Sequence, residues 1–89
     1  MADVTADQFN SHIAEGKDLS GLNLSGLDLS NMLMQNLVLR GANFTGCDLS
    51  RSDLSGSDLT RANLRGANLD EAILRNTIFT RANLTIVDM

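Results

Sequence analysis

Apolar residues recur at every fifth position along most of this chain, and we call the residue at that position the centre of a five-residue unit. The fifteen centres are Leu19, Leu24, Leu29, Met34, Leu39, Phe44, Leu49, Leu54, Leu59, Leu64, Leu69, Leu74, Phe79, Leu84 and Met89. The residue two positions before each centre is usually small or apolar, and the exceptions are Lys17, Ser52, Ser57 and Thr77. A strict period over so many units predicts a repeated structural unit.

A period of five fits neither an α-helix nor a flat strand. Five residues advance about 140° beyond one helical turn, so the centres would spiral around every side of a helix. In a strand, the spacing of two from the small residue to the centre keeps both on one face, but the following spacing of three changes the face. The backbone must therefore bend once in each unit.

The residues two positions after each centre are suited to such a bend. Six of the seven glycines occupy this position, where a type II turn requires a positive φ. Asn31, Asn36 and Asn76 share the position, but the arginines and the glutamate found there in other units predict a second turn type. If each bend turns the chain by about a right angle, four units close a square coil of about twenty residues, and coils stack about 4.8 Å apart.

The units Ala62-Asn63-Leu64 and Ala67-Asn68-Leu69 resemble the Ala-(Asp/Asn)-Leu-x-x signature of pentapeptide repeat proteins. The resemblance covers residues 17–89, with fifteen centres in register. It implies an all-β fold, the right-handed quadrilateral parallel β-helix, in which the centres and the small residues point inward. At about twenty residues a coil, residues 17–89 would form about 3.6 coils of this solenoid.

Residues 1–16 lie outside the repeat and predict a short N-terminal capping α-helix. Thr5 and Gln8 have the spacing of a capping box, with Thr5 as the N-cap. Phe9 and Ile13 lie one helical turn apart and form an apolar stripe. We interpret this helix as a lid over the first coil, with a partner-binding helix as the alternative, and we expect His12 to face solvent.

Composition limits the chemistry that this chain can carry. Eighty-nine residues form one small domain, and neither a transmembrane run nor a signal peptide is recognisable, which makes a cytoplasmic protein the default expectation. Cys47 lies at an inward small position and is expected to be a buried, inert thiol. No nucleophile has a base beside it and no metal-ligand spacing occurs, so we expect no enzyme activity, no catalytic residues, no cofactor and no metal. Without Trp or Tyr, the chain also lacks the stacking platform of a single-strand nucleic-acid binder.

The residue before each centre is normally Asp or Asn, and four units depart from this rule. Leu33, Val38, Ile73 and Ile78 replace the polar residue, and on a twenty-residue coil they lie near one edge of the square. Exposed apolar clusters often mark contact sites, which predicts a patch for a protein partner. Scattered surface aliphatics are the alternative explanation.

Other columns of the predicted solenoid are polar. The asparagines Asn23, Asn43, Asn63 and Asn83 form one ladder, and a mostly acidic column lies beside it. We interpret both as local side-chain to backbone bonding. Arg61 and Arg81 share a corner and could hold an anion, although acidic residues lie nearby in sequence.

The last unit is still in phase with the repeat and predicts an uncovered coil. Repeat arrays normally need capped ends, because an open coil leaves strand edges unpaired. One interpretation is an end-to-end homodimer, and the residues at that end are Leu84, Ile86, Val87 and Met89. The other interpretation is that the sequence was cut from a longer protein.

The sequence therefore favours a non-enzymatic structural or protein-interaction module with an unidentified partner. The resemblance implies an alternative, because some pentapeptide repeat proteins resemble duplex DNA in shape and charge and bind DNA gyrase. Residues 17–89 would form roughly 17 Å of rod, over which a duplex carries about ten negative charges. From Asn31 onward the chain has six arginines and six carboxylates, so its charge does not match. A third hypothesis is the repeat domain of a larger bacterial effector protein.

Overall fold

The computed structural model describes all residues from Met1 to Met89 and contains one helix, α1, at Ala6–Ala14, followed by the stacked repeat. The repeat has no long strand. Each unit instead contributes a single residue to isolated parallel bridges, and every one of the ten bridges joins residues twenty apart in sequence. The predicted twenty-residue register is therefore the observed one.

The bridges form four columns, which define four faces of the solenoid. We name them the asparagine face (Asn23, Asn43, Asn63, Asn83), the acidic face (Asp28, Asp48, Asn68, Asp88), the Leu33 face (Leu33, Asp53, Ile73) and the Val38 face (Val38, Asp58, Ile78).

Backbone hydrogen bonds between coils repeat in the same way around the solenoid. The N–H of Leu24 donates to the carbonyl of Asn43 at 2.8 Å, and the N–H of Gly26 donates to the carbonyl of Thr45 at 2.9 Å. In the opposite direction, the N–H of Asn43 donates to the carbonyl of Leu22 at 2.9 Å. These bonds fix the register, so the residues of one column cannot slip relative to each other.

All corners use the same left-handed residue two positions after the centre. The expectation of a second turn type at the arginine and glutamate corners was wrong, because φ is 58° at Arg51, 61° at Arg61, 59° at Glu71 and 57° at Arg81. At most corner glycines a Cβ would meet no atom within 4 Å, so a side chain fits there and the unfavourable φ is its main cost. Ile86 adopts the same conformation, with φ of 51°.

The core is one continuous cluster of buried side chains inside the solenoid. The eleven centres from Leu19 to Leu69 are buried, together with Ala42, Cys47, Ala62 and Ala67. The last four centres do not share this burial. Leu74 and Phe79 are half-buried, whereas Leu84 and Met89 are 44% and 74% exposed. Inward-pointing residues are buried where a coil, or at the first coil the N-terminal segment, covers them on each side, and nothing covers the last coil in this structure.

The N-terminal segment packs on the other end of the core. Thr5 is the N-cap of α1: its Oγ1 accepts from the N–H of Gln8 at 3.1 Å, and its own N–H donates to Oε1 of Gln8 at 2.9 Å. Phe9 is fully buried in the core cluster, and Ile13 packs against it.

Residues before the helix extend the asparagine face. The N–H of Asp3 donates to the carbonyl of Asn23 at 2.8 Å, and the N–H of Asn23 donates to Oδ2 of Asp3 at 3.0 Å. His12 differs from the expectation that it faces solvent, because it is half-buried and its Nδ1 is covered and has no hydrogen-bond partner.

Candidate interaction surfaces

The Asp or Asn before the centre bends back onto its own corner in ten units. In each of them Oδ1 accepts from the backbone N–H two residues later, for example from Ser25 to Asn23 at 3.0 Å and from Thr45 to Asn43 at 2.9 Å. The residues that accept are Asp18, Asn23, Asp28, Asn43, Asp48, Asp53, Asp58, Asn63, Asn68 and Asn83. This bond is the Asx turn, which explains the repeated Asp and Asn without any ligand.

The four aliphatic departures make no such bond and are strongly exposed. Leu33 is 70% exposed, Val38 55%, Ile73 45% and Ile78 46%. The predicted columns are the observed ones, but Asp53 and Asp58 separate the aliphatic residues within each column. The apolar surface is therefore two interrupted stripes on adjacent faces.

Two of the polar residues at inward small positions, Ser57 and Thr77, make bonds between coils that the sequence pattern did not indicate, whereas Ser52 bonds within its own unit. The Ser57 hydroxyl donates to the carbonyl of Met34 and accepts from the N–H of Leu37 at 3.0 Å. Thr77 Oγ1 donates to the carbonyl of Leu54 at 2.9 Å, and Cys47 Sγ donates to that of Leu24 at 2.9 Å. Each of the three side-chain donors lies twenty-three residues after the carbonyl that accepts from it.

Cys47 is a buried free thiol. Burial raises its pKa to about 11, and backbone hydrogen bonds from Leu27 and Gly26 oppose that shift. A thiol with such a pKa is almost entirely protonated near neutral pH and is a poor nucleophile or metal ligand.

The charged residues are distributed unevenly among the corners. Three ion pairs form, Lys17 with Glu15 at 3.4 Å, Arg40 with Asp58 at 2.5 Å and Arg51 with Glu71 at 3.9 Å.

We call Arg40, Arg61 and Arg81, between the Val38 face and the asparagine face, the arginine corner. Arg61 and Arg81 have no carboxylate within 4 Å, because Asp70 and Glu71 belong to the diagonally opposite corner. Their proximity to the arginines in sequence does not carry over into space.

Asp58 lies in the middle of the Val38 face. Hydrogen bonds from the Thr60 side chain, from Arg40 and from the Thr60 backbone lower its pKa to about 2. The pKa of Asp53 on the Leu33 face is also lowered, first by hydrogen bonds from Ser55 and then by the charge of Arg75. Both carboxyl groups are therefore charged at neutral pH, and each has an arginine to balance it.

Two open grooves flank the aliphatic stripes. A groove of about 480 Å³ lies at the corner between the Leu33 and Val38 faces, with Asn36, Asp53, Gly56, Ile73 and Arg75 among its lining residues. A groove of about 610 Å³ lies where α1 meets the first coil. Its apolar residues are Ile13, Leu19, Leu37 and Val38, and Lys17, Asp18 and Arg40 also line it.

Three further features of the structure concern metal sites, membrane-spanning helices and the C-terminal end of the solenoid. No group of three His, Cys, Asp or Glu side chains could hold a metal ion. No helix is both long and apolar enough to cross a bilayer. At the predicted dimer end, Leu84, Ile86 and Met89 are exposed and Val87 packs against the core, so that interface stays a prediction.

Comparisons with known proteins identify the family. A family model described as pentapeptide repeats (8 copies) matches residues 18–56 and 57–89. Three similar crystal structures are of pentapeptide repeat proteins from Nostoc PCC 7120 (35% identity, TM-score 0.73), Cyanothece 51142 (32%, 0.65) and the Arabidopsis thaliana thylakoid lumen (29%, 0.64). The matches cover 88%, 81% and 84% of this chain in the same order.

The lengths of these relatives differ from that of this chain. The matches cover 74% of the Nostoc protein, 56% of the Cyanothece protein and 48% of the Arabidopsis protein, so this chain spans about half the length of the last two. Among curated proteins, no sequence matches it. The repeat model covers residues 18–89 without a gap and the bridges keep its register, so the chain belongs to the pentapeptide repeat family.

Proposed function

We propose that this protein is a non-enzymatic interaction module that binds a protein partner on its Leu33 and Val38 faces. The observation that carries the proposal is the exposure of four large aliphatic side chains at positions that elsewhere form Asx turns. Members of the family generally act as structural or interaction modules. The right-handed quadrilateral solenoid of about 3.6 coils, which the resemblance implies, would supply the flat faces.

The four aliphatic residues cannot form the Asx hydrogen bond, and no other contact in the isolated chain replaces the stability that this bond would contribute. An Asx hydrogen bond contributes about 0.5–1.5 kcal/mol, and the four units lack it. Exposed apolar surface adds nothing in compensation until another surface covers it. By contrast, every unit of the asparagine and acidic faces keeps Asp or Asn before its centre. A partner that covers the stripes would account for this difference.

Mimicry of duplex DNA at a gyrase or topoisomerase is the second candidate, and the acidic face favours it. Asp28, Asp48 and Asp88 share one column of that face. Arg51 and Arg65 flank the column, and six arginines offset six carboxylates from Asn31 onward. A supercoiling assay tests this candidate, since inhibition or protection at micromolar protein would place it first.

The experiment for the leading proposal replaces the four aliphatic residues by asparagine, as the repeat prefers. The variant combines Leu33→Asn, Val38→Asn, Ile73→Asn and Ile78→Asn. We expect the variant to be as stable as the wild type or more stable, since each asparagine can form an Asx turn. It should also lose binding to peptides selected from a random library on the wild-type protein.

The matched control is Asn63→Asp on the asparagine face, which should keep both stability and binding. Loss of stability in the fourfold variant would mean that the aliphatic residues serve folding, and would refute the proposal. Selected peptides that bind the fourfold variant as tightly as the wild type would refute it as well.

A further inference from the structure

We propose that the Val38 face binds an amphipathic, acidic α-helix that lies along the solenoid axis. The inference rests on the proposed function and specifies the chemistry of the partner. It combines three features of one side of the molecule: a groove that is partly lined by apolar residues, two exposed aliphatic residues two coils apart, and two arginines without carboxylate partners.

The apolar part of the surface begins at the N-terminal end of the Val38 face. There Ile13, Leu37 and Val38 line one part of the groove of about 610 Å³, and Lys17, Asp18 and Arg40 are among its other lining residues. Two coils further along the same face, Ile78 is 46% exposed. Asp58 lies between them, and its contact with Arg40 balances its charge. An apolar partner residue at each end of the face would cover the aliphatic side chains without burying an unpaired charge.

The arginine corner supplies the positive charge that would bind the acidic residues of the partner helix. Arg61 and Arg81 have neither an ion pair nor a side-chain hydrogen bond, whereas Arg40 and Arg51 are both paired. Both also occupy left-handed corner positions, with φ of 61° and 57°, where the first two coils have Gly21 and Gly41. Arg51 and Glu71 share this conformation at another corner, so it is the unpaired guanidinium groups that leave Arg61 and Arg81 able to hold partner carboxylates.

The spacing of these groups fits one face of an α-helix. Val38 and Ile78 are separated by two coils, or about 9.6 Å, and residues seven apart on a helix rise about 10.5 Å. Arg61 and Arg81 lie on successive coils, about 4.8 Å apart, and carboxylates four apart on a helix rise about 6 Å. A helix with apolar residues at its first and eighth positions and acidic residues at its fifth and ninth therefore meets all four residues.

Other occupants fit this surface less well. A second copy related by a two-fold axis perpendicular to the solenoid would bring the arginine corner onto its own symmetry mate, where like charges would repel. With the two-fold axis parallel to the solenoid, the arginine corner would meet the corner of Asn36, Gly56 and Asn76, which has no carboxylate. A nucleic acid would meet a protein of net charge −4 that has no Trp or Tyr for stacking. A short acidic helix takes up the local positive charge without either difficulty.

The test uses two synthetic helical peptides and the full chain. The first peptide carries leucines seven residues apart, with glutamates at the fourth and eighth residues after the first leucine, and the second has lysines in place of the glutamates. We expect the glutamate peptide to bind about fivefold or more tightly than the lysine peptide in fluorescence anisotropy at low salt. Its helical circular dichroism signal should rise on binding, and a central proline should abolish binding.

Variants of the protein locate the contacts. Arg61→Ala combined with Arg81→Ala should remove the preference for glutamate, and the control Arg65→Ala, another arginine without an ion pair, should leave it unchanged. Val38→Asn with Ile78→Asn should weaken both peptides.

The outcomes separate this inference from the proposed function. If both peptides bind equally and still depend on Val38 and Ile78, the acidic helix is refuted and the proposed function survives. If neither peptide binds, the inference fails, and the library selection decides the proposed function independently. Binding of a mixed-sequence oligonucleotide, or dimerisation in sedimentation, that is lost with Arg61 and Arg81 would also overturn the inference.

Discussion

Replacing Ser57 by alanine tests whether hydrogen bonds between coils, rather than the repeat consensus, stabilise the middle of the solenoid. Alanine is the commoner residue at this inward position, so the consensus alone predicts that Ser57→Ala is neutral or stabilising. The structure predicts the opposite. The Ser57 hydroxyl is fully buried, donates to the carbonyl of Met34 and accepts from the N–H of Leu37 at 3.0 Å. It thereby bridges a turn that lacks the usual bond from the N–H of Leu37 to the carbonyl of Met34.

The expected size follows from these two bonds. Each contributes about 0.5–1.5 kcal/mol, so Ser57→Ala should lower the free energy of unfolding by about 1–3 kcal/mol. Ser52→Ala is the matched control. Its hydroxyl bonds only to the carbonyl of Leu49, at 2.7 Å, and that carbonyl keeps the N–H of residue 52 as a second donor. The control should therefore cost only about 0.5 kcal/mol.

Urea unfolding followed by circular dichroism measures both changes, provided that the m-value stays constant. Ser57→Cys should be intermediate, since the thiol of Cys47 makes the equivalent bond to the carbonyl of Leu24. An alanine variant as stable as the wild type, or equal losses at the two serines, would show that the turn closes on itself and that the bridging hydroxyl is dispensable.

Three further predictions concern the corners and the charged side chains. Gly56→Ala should destabilise the protein slightly more than Gly66→Ala: both glycines have a left-handed φ (74° and 71°), but only at Gly56 would the new Cβ lie 2.2 Å from Oδ1 of Asn36, whose exposed side chain must then rotate away. An Asn36→Gly background should remove the excess in urea unfolding, and an unchanged excess would contradict the steric explanation. Ile86→Gly should raise stability by about 1 kcal/mol, because the β-branched side chain is strained at φ of 51° and largely exposed, and a lower melting temperature would contradict this. The pKa of Asp58 is about 2 in the folded protein against an ordinary 3.8, so its contribution is complete above that ordinary value and is lost as pH falls towards 2. Asp58→Asn should make urea midpoints less dependent on pH across this window, and the same pH dependence in both proteins would refute the assignment.

The coil and its register follow from the sequence because one simple constraint determines them. Residues five apart can share an interior only if the chain bends once per unit, and four equal bends close a coil. The bridge from Asn23 to Asn43 and the nine others in the same register agree with this prediction. The capping box of Thr5 and Gln8 could be read from sequence for the same reason, since both of its bonds are local.

Features that depend on stacking between coils could not be read from the chain. The contact of Ser57 with Met34 spans twenty-three residues, and the contact of Asp3 with Asn23 joins a segment outside the repeat to the first coil. The isolation of Arg61 is of the same kind, because residues ten apart in sequence lie on opposite corners. Local residue preferences also gave the wrong turn type at the arginine and glutamate corners, because the tertiary fold imposes a left-handed φ on Arg61 as it does on glycine.

The two pairs of faces differ in what their outward residues contribute. On the asparagine and acidic faces the polar side chain stabilises its own corner, so those faces can be explained by folding alone. On the Leu33 and Val38 faces, Leu33 and Ile78 neither form the Asx turn nor enter the core. Four missing Asx turns, all on these two adjacent faces, are not explained by folding alone. If the aliphatic residues are kept because they bind a partner, restoring Asp or Asn at each position should raise stability and reduce binding together. If they are neutral surface substitutions, the change in stability and the change in binding should be unrelated.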